Sequence, residues 1–376
     1  MGAAPQSALA SLQALARDPS RAARDARARG QKVVGTRCMF VPEELVSAAG
    51  MLPFPLYGTP EPVGPADSYF QSCTCEFVRN VFDQALAGRL EFLDGLALAN
   101  TCDVIRRLTD IWRKYLPRVP VSLLVNPQKL MDERNRDYYL AELRRFRGEL
   151  EALSGQRITD ARLQEAIAQH NRTRELLREL YTLRRAEHPP LTGAEALDVC
   201  QAVSCLPRDQ ANPLLERLFA ELAARQVTPR TGPRVLVTGS ILDHPALLRM
   251  IEEEGGQVVA DDLCTTTRTF WQRIEPDADP LVAIWRHQNR RPLCACMHPT
   301  EARFDYLREL VETFRVQAVI YFNLKYCHPF LYEAPLYKAA LTERGVPTMV
   351  LEVGHDQSGH GQLRTRIQAF LEMLEL

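Results

Sequence analysis

The stretch 68-SYFQSCTCEFVRNVFDQALAGRLEFLDGLALANTCDVIRRLTDIW-112 decides how the rest of the chain is read. Cys75 opens an amphipathic helix, residues 93–99 form an apolar run with the composition of a buried strand, and Cys102 follows that strand's end. Both settings suit a working thiolate. The free N–H groups and positive dipole end of a helix start lower a thiol's pKa, and open parallel sheets bind ligands at the carboxyl ends of their strands. A single cysteine in either place is most simply a small buried hydrophobe. The pair carries more weight because the setting recurs downstream.

Upstream of this stretch, a short strand at 32–34 is followed by Cys38 and by a helix that starts at Pro42 and ends at Gly50. LPFPLYG (52–58) is a second strand, and 121–125 another. Residues 31–127 therefore read as a first parallel α/β domain. Residues 1–30, rich in Ala and Arg, read as a helical extension that packs on a partner or on the body. From 128 to 230 strand signals vanish. Leu140, Leu143, Phe146, Leu150 and Leu153, then Leu163, Ile167, Leu176, Leu180 and Leu183, fall at helical spacing, with Thr159 as an N-cap. Strands return at 235–237, 257–260, 318–322 and 348–352, with helices at 245–254 and 335–343 and a closing helix after 361. Residues 231–376 make a second α/β domain. The fold class is thus α/β: two Rossmann-like parallel-sheet domains joined by a helical segment.

Across these domains the pattern of Cys102 repeats. Cys264 follows the strand at 257–260, and Cys327 follows the strand at 318–322. If the sheets face one cleft, these thiols meet there, joined by Cys75. Cys38 and Cys73 add thiol capacity nearby, whereas Cys200 and Cys205 fall in the helical segment, outside such a site. Thiolates suit an iron–sulfur cluster or zinc, and cysteines alone do not decide between them. Structural zinc usually takes pairs with two intervening residues; Cys73-Thr-Cys75 and Cys294-Ala-Cys296, with His298 beyond, are tighter, which favours a cluster. His328 adjoins Cys327 as a supporting neighbour. GHDQSGHGQ (354–362), with His355 and His360, reads as a mobile loop.

The chain has 376 residues, ten cysteines and a formal net charge of −1. It has no basic field of the kind that nucleic acid or an anionic membrane attracts, no signal-peptide core and no span-length apolar run. A cytoplasmic protein with unpaired thiols is expected. No Gly-x-x-x-x-Gly-Lys-Ser/Thr phosphate loop and no Gly-x-Ser-x-Gly nucleophile elbow occur. The turn Thr238-Gly239-Ser240 offers N–H groups to a ligand, but a tight turn needs the same residues for itself.

Five blocks of the sequence resemble subunits of the 2-hydroxyacyl-CoA dehydratase and benzoyl-CoA reductase family. They are CMFVPEELVSAAGMLP (38–53), CEFVRN with LEFLDGLALANTCDVIRRLTDIW (75–80 and 90–112), RVLVTGSILD with GGQVVADDLC (234–243 and 255–264), VIYFNLKYCHP (319–329) and GQLRTRIQAFLE (361–372). They appear in family order and cover both α/β domains. The resemblance implies the smaller cluster-binding subunit of an oxygen-labile, anaerobic enzyme. A [4Fe–4S] cluster would be held by Cys75, Cys102 and Cys327, with Cys264, Cys38 and Cys73 as further candidates; Cys294 and Cys296 receive no role. It also implies a homologous second subunit, an ATP-dependent iron–sulfur activator and an acyl-CoA or aryl-CoA substrate. No catalytic residue is assigned. Arg79, Arg106 and Arg107 near the cysteine motifs are candidates by position for coenzyme A phosphates, and surface salt bridges explain them equally well. The extra thiols keep open a double-cubane [8Fe–9S] reductase of small molecules. A non-catalytic electron-relay or assembly subunit is the third reading.

Overall fold

The computed structural model describes residues 7–355 and 360–374. Among these residues eight strands form two sheets, all parallel: β1 (Val33–Arg37), β2 (Leu52–Pro55), β3 (Gly95–Ala99) and β4 (Val121–Leu124) in the first, and β5 (Arg234–Gly239), β6 (Gln257–Asp262), β7 (Ala318–Leu324) and β8 (Thr348–Val353) in the second. The two-sheet α/β class expected from the sequence is what forms. The inner strands β3, β5 and β7 are buried along their whole length, because helices cover both faces, and so they read as continuous apolar runs without alternation.

Both sheets have the same order. The first runs β2-β1-β3-β4 and the second β6-β5-β7-β8, so each reverses its winding once, between β1 and β3 and between β5 and β7. Ligands of open α/β sheets bind outside the strand ends at such a reversal. Cys38 and Cys102 follow β1 and β3; Ser240 and Cys327 follow β5 and β7.

Four helices lie between the sheets in sequence: Arg136–Ser154, Asp160–Leu183, Gly193–Ser204 and Arg208–Ala224. Thr159 caps the second, its hydroxyl accepting the Arg162 N–H at 3.3 Å. Thr192 and Glu195 form a reciprocal capping box on the third. The N-terminal extension packs on the body rather than waiting for a partner. Helix Ala8–Arg17 lies on Gly193–Ser204 and Arg208–Ala224, and the Glu221 carboxylate accepts from the backbone N–H groups of Ala8 and Leu9 at its start.

The sequence reading placed a helix at 335–343; it instead begins at His328 and runs to Thr342. Pro329 sits in its first turn, where a missing N–H costs nothing, and Pro335 lies inside the helix. The hydroxyl of Ser240 in the turn after β5 accepts the Leu324 N–H at 2.8 Å, so it closes the sheet rather than serving a ligand. Gly239 there has φ 132°, and a Cβ would stand 1.8 Å from the Phe322 carbonyl oxygen. Of 354–362, residues 356–359 lie outside the described residues, and His355 is buried against the body. No described helix is long and apolar enough to cross a membrane.

Candidate metal centre in the interdomain cleft

Three helices start at three cysteines. Cys75 is the N-cap of Glu76–Leu86, Cys102 of Asp103–Tyr115 and Cys327 of His328–Thr342. Backbone N–H groups of the first turn point at each sulfur: Phe77 and Val78 at Cys75, Val104 and Ile105 at Cys102, and Phe330 at Cys327. All three sulfurs line one mostly apolar cavity of about 340 Å³ between the two sheets, walled by Phe77, Val78, Ile105, Ile241 and Phe330. The sequence reading brought these three together, and so does the fold.

Cys38, Cys264, Cys294 and Cys296 line the same cavity, making seven thiols in one cleft. Cys73 is exposed and is not among the lining residues. Cys200 and Cys205 are buried in the helical segment, away from the cleft. The sequence offers Cys294 and Cys296 as a tight pair and does not tell their role. They arrive on the irregular loop between helices Pro280–Arg290 and Thr300–Thr313.

Burial pushes the Cys38 and Cys102 thiols up to about 11, and raises Cys75. Cys327 lies well above its ordinary value, first through burial and then through neighbouring Cys75 and Cys102. Cys294 moves the other way: the Cys296 S–H donates to its sulfur, and buried Arg268 and Arg303 favour the anion against burial. Those two arginines belong to a network beneath the cleft floor. The Asp262 carboxylate accepts from Arg268 Nε at 2.6 Å, from Thr238 Oγ1 at 2.7 Å and lies 3.1 Å from Arg303 Nη2. Arg303 Nε also donates to Glu333 at 2.7 Å and its Nη1 to the Leu293 carbonyl at 3.0 Å. The loops bearing Cys264, Cys294 and Cys327 are thereby tied to one ionic cluster.

Cys38 has φ +89°, a backbone conformation that costs a non-glycine residue about 1–3 kcal/mol. Beside it, the Arg37 guanidinium stacks on Phe77 at 4.5 Å and approaches the Cys264 sulfur at 3.9 Å. Arg37, Cys38 and Cys264 also wall a polar chamber of about 110 Å³ behind the thiols, which contains Glu43, Glu44, His170, Arg174, Arg208 and Arg291. Of the arginines assigned to phosphates, Arg79 is buried and committed to Asp67 and the Thr74 carbonyl. Arg107 pairs with Asp103 at 3.3 Å, and Arg106 is exposed.

The family model described as 2-hydroxyglutaryl-CoA dehydratase, D-component, matches residues 38–374. The chain belongs to that family. It is 29% identical over 353 residues to one of the benzoyl-CoA reductase subunits of Thauera aromatica, covering 92% of both chains. It is 27% identical over 346 residues to the (R)-phenyllactyl-CoA dehydratase beta subunit of Clostridium sporogenes, again covering 92% of both. With the beta subunit of (R)-2-hydroxyglutaryl-CoA dehydratase from Acidaminococcus fermentans the identity is 28% over 356 residues, covering 93% of this chain and 94% of that one. These relatives are enzyme subunits, and the 2-hydroxyglutaryl-CoA dehydratase D-component family to which this chain belongs is a family of enzyme subunits.

Proposed function

We propose that this chain is the iron–sulfur subunit of an acyl-CoA or aryl-CoA radical enzyme of the 2-hydroxyacyl-CoA dehydratase or benzoyl-CoA reductase type. Cys75, Cys102 and Cys327 would hold a [4Fe–4S] cluster. The observation that carries this reading is the convergence of three cysteine-capped helix starts on one apolar cleft. The donor set fits the group: soft sulfur ligands, N–H groups that stabilise negative charge, and a wall that keeps water away. A cluster held by these three cysteines would supply single electrons.

The residues around it have separate tasks. Phe77, Val78, Ile241 and Phe330 exclude water, which strengthens every charge interaction inside. Arg37 places a cation in the wall of the cleft, against Phe77 and the Cys264 sulfur. Because the sequence has no phosphate loop, coupling to ATP falls to a separate iron–sulfur activator, and the enzyme is made whole by a homologous second subunit. Tyr332 and Leu336, exposed by 80% and 59%, lie one turn apart on the helix that starts at Cys327 and give such a partner an apolar face beside the cleft.

A second reading has its own observation. Seven thiols exceed what one cubane uses, which favours a double-cubane [8Fe–9S] cluster and a small-molecule substrate. Anaerobic purification with iron and sulfide analysis separates the readings: about four iron per chain for the first, about eight for the second. No iron removes both. Assays with acyl-CoA and aryl-CoA substrates, with and without activator and ATP, then test the chemistry; full turnover by the isolated chain would refute the division of labour.

A further inference from the structure

Asp243 and His244 lie in the loop between β5 and the helix Ala246–Glu253, and His355 lies just past the end of β8. The two segments are 112 residues apart, yet one ligand atom from each of the three side chains falls within 4.8 Å of the others. His355 Nε2 is 3.2 Å and His244 Nε2 3.9 Å from Asp243 Oδ1. Ligand atoms around a tetrahedral first-row metal stand about 3.3 Å apart. Only His244 must move to reach that spacing. Its Nε2 is buried with no hydrogen-bond partner, while the residue as a whole is about one-fifth exposed, which gives an ion a way in.

The surroundings hold this group in place. Asp243 Oδ2 accepts the Gly58 N–H at 2.7 Å, and the Asp243 carbonyl accepts from Gln201 Nε2 at 2.7 Å. A Cβ on Gly58 would lie 2.2 Å from His355 Cε1, so only glycine leaves the imidazole its position. The His355 N–H donates to Glu76 at 2.6 Å, and its ring meets Phe77 edge-on at 5.7 Å. Glu76 and Phe77 form the first turn of the helix that Cys75 caps.

We infer that Asp243, His244 and His355 form a second metal site, distinct from the thiol cleft, which takes a divalent first-row ion such as Zn²⁺ or Fe²⁺. Two imidazoles and one carboxylate suit those ions rather than Ca²⁺ or Mg²⁺, and they leave room for water as a further ligand. Gly58 and Glu76 come from the first sheet layer and the ligands from the second, so the site lies at the junction of the two, next to Cys75. The inference does not depend on what the cleft thiols hold.

The test is a Co²⁺ titration of the full-length, chelator-treated protein beside His244→Ala and Asp243→Asn. Asn at 243 still accepts the Gly58 N–H, so that variant guards against a folding failure at 244. Cobalt bound by nitrogen and oxygen shows weak visible d–d bands without the near-ultraviolet band of thiolate ligation. The wild type should bind one such ion per chain and unfold at a higher temperature with it, and both variants should lose that ion and that shift while keeping their thiol-bound cobalt. Equal cobalt content and spectra in the wild type and the folded variants would overturn the assignment.

Discussion

At the scale of single residues, the fold separates thiols that face the cleft from thiols that only fill space. Cys102→Ser should abolish the visible absorbance and the iron content of anaerobically prepared protein while leaving its far-ultraviolet circular dichroism unchanged, since neither sheet core contains that sulfur. Cys200→Ala and Cys205→Ala should keep the iron, because both side chains are packed in the helical segment. Unchanged iron in the Cys102 variant would remove the ligand assignment. Cys38→Gly is more discriminating still. Glycine accepts φ +89° without strain, so the variant should be at least as stable to urea as Cys38→Ala; its iron stays near four per chain if a single cubane is bound and falls if Cys38 ligates a larger cluster.

At the scale of elements, the cleft floor depends on the ionic network that links β6 to the loops beyond it. Asp262 is fully buried among Arg268, Arg303 and Thr238, and replacing it with Ala leaves two guanidinium groups short of their counter-charge. Breaking a buried pair in this way costs about 3–5 kcal/mol, so the urea midpoint of Asp262→Ala should drop accordingly. A loss under about 1 kcal/mol would show the network to be dispensable. This scale also shows what the sequence could reveal. Cys102, Cys264 and Cys327 were legible because each follows an apolar run, and Cys75 because an amphipathic period starts there. The start of the last cysteine-capped helix was misplaced because Pro335 looked like a first-turn proline, whereas Pro329 has that role and Pro335 is tolerated inside the helix. Cys294 and Cys296 were legible only as a tight pair with no indication of where they go, and the Asp243–His355 contact had no local signal at all. They are brought in by loops whose positions follow from the packing of distant elements, which no period of two or 3.6 residues encodes.

For the whole molecule, buried titrating groups set how it withstands acid. Burial, reinforced by Arg208 beside His170 and by Arg174 beside His287, holds both imidazoles well below the ordinary histidine range, so they stay neutral in the folded protein. The unfolded chain takes up those protons below about pH 6.5, and stability present above that pH is lost as pH falls, by about 1.4 kcal/mol per unit for each group. A further loss belongs to Glu44 and Asp262: burial alone would raise both, but Arg174 beside the first and Arg268 beside the second keep them ionised in the folded protein, so stability falls again below about pH 4, where the unfolded carboxylates take up protons. Urea midpoints measured from pH 8 to pH 2 should therefore fall in two stages, and a flat profile down to pH 5 would contradict the first. Assembly is read at the same scale: Tyr332→Asp with Leu336→Asp should weaken association with the homologous subunit proposed above in size-exclusion chromatography while leaving the isolated chain folded, since both side chains already face solvent. Unaltered association would place the contact elsewhere.

The two sheets share one strand order, and each is built from segments close in sequence, while the cleft thiols stretch from Cys38 to Cys327. The first sheet can therefore pair while the rest of the chain is still being made, but the second is complete only near the end of synthesis, and the cleft exists only after the halves have docked. Until then its sulfurs face solvent as separate, reactive thiols. Whatever the cleft holds must be delivered to a finished chain, and the interval between emergence and docking is when oxidation would do the most harm.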